Sequence, residues 1–127
     1  MAASAGDATS LVETALGQCE AAFIHGVHSF HGGHQSDLLI RPDALRELKE
    51  RMRPKFKQRF DDDPKHWKRD GERVRRVGYY AGALAAFHAY TDVSCWVETG
   101  HLRAAMQHVA QHCKDPNNPR IRWWYCP

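Results

Sequence analysis

Apolar positions recur along this chain with the period of an α-helix, in four blocks separated by Gly, Pro and acidic breaks. In the first block, Leu11, Val12, Ala15, Leu16, Cys19, Ala22 and Phe23 fall three or four residues apart, which gathers them on one side of a helix. Ser10 followed by Glu13 reads as a capping box, so the helix is expected to start at Ser10. Gly26 and the Gly32-Gly33 pair predict that it ends near His25.

The second block opens at Pro42-Asp43, with Pro in the first turn it favours. Leu45, Leu48 and Met52 share one face, and Arg46, Lys49, Glu50 and Arg53 lie mostly on the other. Pro54 has no N–H to donate and is expected to kink or stop this helix, leaving Phe56 and Phe60 on a further short turn. Asp63 as N-cap and Pro64 in the first turn predict a long third helix, from Pro64 to about Tyr90. Ser94 is expected to cap a fourth, Cys95 to Cys113, with Leu102, Met106, Val109 and Cys113 on its apolar face. Alternation suited to a strand occurs only at Ile121–Tyr125.

The pattern therefore predicts an all-α fold, a small single-domain bundle of about four helices with an aromatic C-terminal tail. The expected divisions are a flexible N-terminus (1–9), a helical bundle (10–115) and a Pro/Asn linker with the aromatic tail (116–127). The third helix carries the sharpest local signal. Past Arg76 it turns from basic to uncharged, and Gly78, Gly82 and Ala86 stand four apart. Small residues at that spacing form a groove in which another backbone can lie. Each Gly costs a helix about 1 kcal/mol against Ala, a loss that close packing offsets. The uncharged run from Val77 to Thr91 reads as a buried helix, too short for the roughly 20 apolar residues of a membrane span.

Net charge adds a polarity. The formal charge is only +3, yet Arg41 to Arg76 holds fourteen Lys and Arg against eight Asp and Glu, so the rest of the chain is net acidic. A basic middle of this kind suits a protein partner with an acidic surface, or a phosphate backbone. Lys55, Lys57, Arg59, Lys68 and Arg69 stand among Phe56, Phe60 and Trp67, the mixture that neutralises phosphates and stacks bases. Asp61, Asp62, Asp63, Asp70 and Glu72 interrupt it. The start of the chain has neither the basic-then-apolar pattern of a secretory signal nor the arginines of a transit peptide, which favours the cytoplasm or an organelle interior. Cys19, Cys95, Cys113 and Cys126 form no Cys-x-x-Cys pair. Reduced, buried thiols are the default, with two disulfides the alternative in an oxidising compartment.

Candidate chemistry centres on nine histidines. His25, His28, His31 and His34 recur every third residue. They would line one side of a 3₁₀ or polyproline-like stretch but spread around an α-helix. His101, His108 and His112 make one stripe along the fourth helix, and Glu98 with His101 forms a Glu-x-x-His pair of the kind metal-carrying bundles use. Both groupings could take a divalent transition metal such as zinc through neutral imidazoles, although the second carboxylate–histidine pair is missing. Against that stands the plainer reading of surface and boundary histidines; no cofactor is required. Cys95, near a predicted helix start, is a weak nucleophile candidate. Neither a Gly-x-Ser-x-Gly elbow nor a phosphate loop is present.

The tail holds Arg120, Arg122, Trp123, Trp124 and Tyr125, residue types that dominate interface hot spots. Each aromatic buries enough area to offset the ordering of such a segment, so the tail is expected to lie on something, either its own bundle or a partner. The functional expectation is a non-catalytic interaction protein, a small subunit or adaptor that binds through the basic middle and the aromatic tail. The alternatives are a histidine-rich metal-binding helical protein and an RNA- or DNA-associated one.

Overall fold

The computed structural model of the chain describes residues 5–30, 38–62, 66–112 and 124–125, with side chains at 10–30, 38–60, 71–111 and 124–125. Among these residues the fold is the expected all-α bundle, built from α1 (Ala5–Ser29), α2 (Pro42–Asp62), α3 (His66–Thr91) and α4 (Thr99–His112). Two short strands, β1 (Leu39–Ile40) and β2 (Trp96–Val97), pair in parallel just ahead of α2 and α4. Backbone bonds at either end of the ribbon run from the Leu39 N–H to the Cys95 carbonyl and from the Arg41 N–H to the Val97 carbonyl, each 3.0 Å.

Backbone contact between α1 and α3 organises the bundle. The face of Gly78 meets the Cys19 carbonyl, that of Gly82 meets the Phe23 carbonyl, and Gly26 of α1 meets the Tyr79 carbonyl in return. A Cβ at any of the three would sit inside the contact radius of a backbone oxygen, so only glycine permits the approach. Cys19 to Phe23 advances as Gly78 to Gly82 does, so the two helices run parallel. Ala86 is fully buried along the same helix. This contact also explains why α1 does not end near His25. Gly26 weakens a helix in isolation, but here its missing side chain is what admits α3. At the other end α1 begins by Ala5, so Ser10 is an interior residue whose carbonyl accepts from the Thr14 hydroxyl at 2.9 Å, not a cap.

Ion pairs at Lys49–Glu20 (2.6 Å) and Arg53–Glu13 (3.2 Å) place α2 antiparallel on α1. Asp92–His101 and His88–His108 place α4 antiparallel on α3. The helices are therefore ranked α2, α1, α3, α4, and α2 hardly touches α3 directly. Pro54 lies inside an unbroken α2. Its cost is about 3 kcal/mol. Ala44, Leu48, Met52, Phe56 and Phe60 continue one buried face across it, and burying a Phe or Met contributes about 1.5–3 kcal/mol. The apolar face wins over the missing donor.

The start of α4 departs from expectation in the same manner. Ser94 does not cap a helix at Cys95. Its hydroxyl accepts the Trp96 N–H (3.1 Å) and donates to the Trp96 carbonyl (2.8 Å), holding the turn that leads into β2. Glu98 becomes the N-cap, and its carbonyl accepts from His101 and Leu102. At the end of α3, the Ser94 N–H reaches the Ala89 carbonyl and the Val93 N–H reaches the Tyr90 carbonyl, the paired bonds of a Schellman cap. Val93 occupies the left-handed position, at φ 54°, where glycine is usual and a β-branched side chain is strained.

Trp124 and Tyr125 belong to the core. They are 3% and 2% exposed. Trp124 packs on Phe56 of α2, ring centroids 5.6 Å apart, and the Tyr125 hydroxyl donates to the Val77 carbonyl of α3 at 2.7 Å. They fill the space that α2 and α3 leave between them. No helix among the described residues is long and apolar enough to cross a membrane.

Two predictions follow from these contacts, both read by chemical denaturation. Gly82→Ala should destabilise the chain by about 2 kcal/mol or more, because the methyl must push two backbones apart, and Gly82→Leu by more still. Gly17→Ala, which adds the same methyl to α1 where nothing lies within 4 Å, should stabilise it by up to about 1 kcal/mol. Equal effects from the two alanines would contradict the packing account. Trp124→Ala should cost about 3–5 kcal/mol and Tyr125→Phe about 1 kcal/mol. A tail that merely rests on the surface would show neither loss.

Candidate functional site

The slab made by α1 and α3 has an inner side that carries the core and an outer side that carries a groove. Gln18, Ala21, Ala22 and His25 line it from α1, at i, i+3, i+4 and i+7. Glu72, Arg75, Arg76, Tyr79 and Tyr80 line it from α3 at the same spacing. Its volume is about 700 Å³. The floor is alanine, and the walls combine two tyrosines, two arginines and a histidine. His25 leans on Tyr79 (centroids 5.5 Å), and Tyr79 meets Tyr80 edge-on (6.1 Å). Arg76 is held by Glu72 at 2.7 Å. Arg75, exposed, has no ion-pair partner among the described residues, and the buried Gln18 Oε1 has no hydrogen-bond donor there.

Past the groove, α3 continues to expose aromatic side chains. Phe87 and Tyr90 are 47% and 62% exposed and Val93 is 90% exposed, with Phe30, just past the end of α1, packed beside Phe87 and Tyr90 at centroid distances of 5.9 and 6.3 Å. The run Val77–Thr91 is thus buried on one side only. Apolar side chains gathered on an exposed face mark interaction surfaces more often than chance does.

The basic middle is largely matched within the chain. Lys49 and Arg53 pair with Glu20 and Glu13 of α1, Arg46 with Asp43 at 2.9 Å, and Arg51 with Glu47 at 3.4 Å. Glu47 also receives Arg103 of α4 in a two-pronged contact, Nε to Oε2 at 2.9 Å and Nη2 to Oε1 at 2.6 Å. The Arg103 hydrogen bonds, before any other cause, hold the Glu47 carboxyl below its ordinary value. Arg41 lies 3.9 Å over the Trp96 ring and 4.0 Å from Glu98. Lys55 and Arg59 are half-buried, while Lys57 is exposed. The side chains of Lys68 and Arg69, and all of Arg120, Arg122 and Trp123, lie outside the described residues. Of the two placements expected for the tail, Trp124 and Tyr125 take the first: they are enclosed by their own bundle, between α2 and α3.

The histidine groupings separate in space. His25 and His28 are exposed on α1, three residues apart on an α-helix and so offset by about 60° rather than aligned as in a three-fold stretch; His31 and His34 lie outside the described residues. His101 is buried, and both its ring nitrogens have protein partners. Nδ1 accepts the Glu98 N–H at 3.0 Å, so the proton sits on Nε2, which donates to Asp92 at 2.8 Å. The Glu98–His101 pair is thus a helix start: His101 takes the place of the Glu or Gln at the third position of a capping box. His108 is exposed on the outer side of α4, its ring 6.4 Å from that of His88, and the His112 side chain lies outside the described residues. Among the described residues no three His, Cys, Asp or Glu side chains converge as metal ligands do. Cys19 is buried, and desolvation, with the adjacent Glu20 charge, pushes its thiol up to about 12. Cys95 is exposed in the bend before β2 and outside α4, which starts at Thr99.

Helical pattern alone missed the groove because an uncharged run was read as buried on all sides. The usable signal was the four-three alternation of Arg76, Tyr80, Ala83, Phe87 and Tyr90, which lies opposite the Val74, Val77, Ala81 and Ala85 face. Comparison with protein-family models, with curated proteins and with solved structures finds no match for this chain.

The Glu47 contact sets a pH dependence. A carboxyl held low in the folded state contributes stability above its unfolded value and loses it as pH falls through the folded value. Glu47→Gln should therefore melt below the parent at pH 7, and the gap should narrow as pH is lowered past the ordinary 4.5. Thermal melts across that range check this; a gap independent of pH would show that the ion pair is not what Glu47 contributes.

Proposed function

We propose that this chain is a non-catalytic interaction protein, a small subunit or adaptor, and that its docking surface is the outer face of the α1–α3 slab. The single observation that carries the reading is the continuity of that face. A groove whose Arg75 has no ion-pair partner among the described residues runs on into exposed Tyr80, Phe87 and Tyr90. The chemistry matches what an interface core favours: aromatics and arginine over an alanine floor, with few lysines. Residues at i, i+3, i+4 and i+7 on two parallel helices form a trough into which the ridge of a further helix fits. The basic middle, expected to meet an acidic partner, contributes mainly Arg75 and Arg76, because α1 already neutralises much of α2. The tail contributes stability through Trp124 and Tyr125.

Site-specific photo-crosslinking in native extract tests this. A benzophenone side chain at Tyr80 or Phe87 should give discrete covalent adducts, and the same group at exposed Glu50 of α2 or Gln107 of α4 should not. Adducts that form equally from all four positions, or only from the controls, would overturn the assignment.

A further inference from the structure

Resting on that docking surface, we infer that its occupant is a second copy of this chain, with the two α3 helices crossing antiparallel about Ala83. Arg76, Tyr80, Ala83, Phe87 and Tyr90 alternate in steps of four and three, so they lie along one side of α3 as the contact positions of a coiled-coil seam do. The stripe has a small residue at its centre, a large aromatic on either side of it, cations at one end and an aromatic with a carboxylate at the other. A two-fold axis through Ala83 matches these groups to one another. Ala83 meets its own copy, which lets the helices approach. Tyr80 falls beside Phe87, Arg76 lies against Tyr90 as a cation over a ring, and Arg75 falls near Asp92. Asp92 is exposed and gives Oδ2 to His101, so Oδ1 is open to a guanidinium.

A parallel pairing fails on charge, because it would set Arg75 and Arg76 against themselves. A partner with a purely acidic helix would leave Phe87, Tyr90 and Val93 against charge. The antiparallel copy satisfies both ends of the stripe with the same residues. Val93 extends the same surface. Its left-handed backbone belongs to the cap that ends α3, and its side chain, 90% exposed there, adds apolar area at that end of the stripe. From Arg76 to Tyr90 the stripe is about 21 Å long, and with α1 alongside it is on the order of 20 Å wide. That footprint, on the order of 400 Å² per copy, lies in the range of weak, transient interfaces, so a reversible dimer populated toward the upper end of micromolar concentrations is the expectation.

Sedimentation velocity of the untagged full chain, from about 1 to 300 µM, is the test. The parent should show a concentration-dependent monomer–dimer equilibrium. Tyr80→Glu and Phe87→Glu should each weaken it tenfold or more while the melting temperature stays near that of the parent, both side chains being exposed. Arg75→Glu should weaken it less, and by a margin that shrinks with added salt. A chain that stays monomeric throughout, or a dimer indifferent to Tyr80→Glu and Phe87→Glu, would overturn the second-copy assignment. The crosslinking at Tyr80 keeps the two readings apart. Adducts of twice the 14.5 kDa chain mass support the dimer. Adducts of any other mass, from a chain that sediments as a monomer, leave the docking surface standing and remove the second copy.

Discussion

Backbone contact between α1 and α3 is the constraint from which the other features descend. Ordinary helix pairs are held 8–10 Å apart by the side chains between them. Here Gly78 and Gly82 face α1 while Gly26 faces α3, so the two backbones meet in both directions. The pair behaves as a slab with an inner and an outer side. Core side chains, Val12, Leu16, Cys19, Phe23 and Val27 from α1 with Val74, Val77, Ala81 and Ala85 from α3, all lie toward α2, α4 and the tail. That leaves α2 and α3 apart, and Trp124 with Tyr125 fill the opening. On the outer side no element covers the seam among the described residues, and a groove remains.

Charge follows the same geometry. The acidic residues Glu13 and Glu20 sit on the α1 edge that meets α2, and Glu47 sits where α2 meets α4. A segment that looks strongly basic in sequence is therefore substantially neutralised in three dimensions. Such exposed pairs contribute little stability individually; their main effect is to decide which cations remain for a partner. Arg75, on the outer face beside exposed aromatics, is one that remains among the described residues, while Arg76 next to it is held by Glu72.

Much of this architecture can be read from the residues alone, and the failures have physical causes. Helical periodicity gave the four helices, and the four-residue spacing of Gly78 and Gly82 identified a close helix contact. The partner glycine was misjudged. Gly26 looks like a stop because propensity counts its cost and not the neighbour it admits, and only the tertiary contact reveals that neighbour. Pro54 looks like a break for the same reason, since local rules do not weigh the buried Phe56 and Phe60 beyond it. The ribbon at Leu39–Ile40 and Trp96–Val97 is too short to show a period of two, so the helix start moved from Cys95 to Thr99. Tail aromatics carry no sign of whose surface they cover. The histidine stripe was correctly spaced for a single helix, but His101 is spent on a cap and on Asp92, contacts that depend on the turn leaving α3.

The most direct test of the central claim is a nuclear Overhauser measurement between backbone protons of the two helices. With α1 and α3 in backbone contact, a Gly82 Hα and the Phe23 Hα should give a clear cross-peak, with a further one between a Gly26 Hα and the amide proton or Hα of Ala83. Side-chain-separated helices give none. If both helices are present by chemical shift and these cross-peaks are missing, the backbones do not meet, and the slab, the gap closed by the tail and the outer groove lose their common cause.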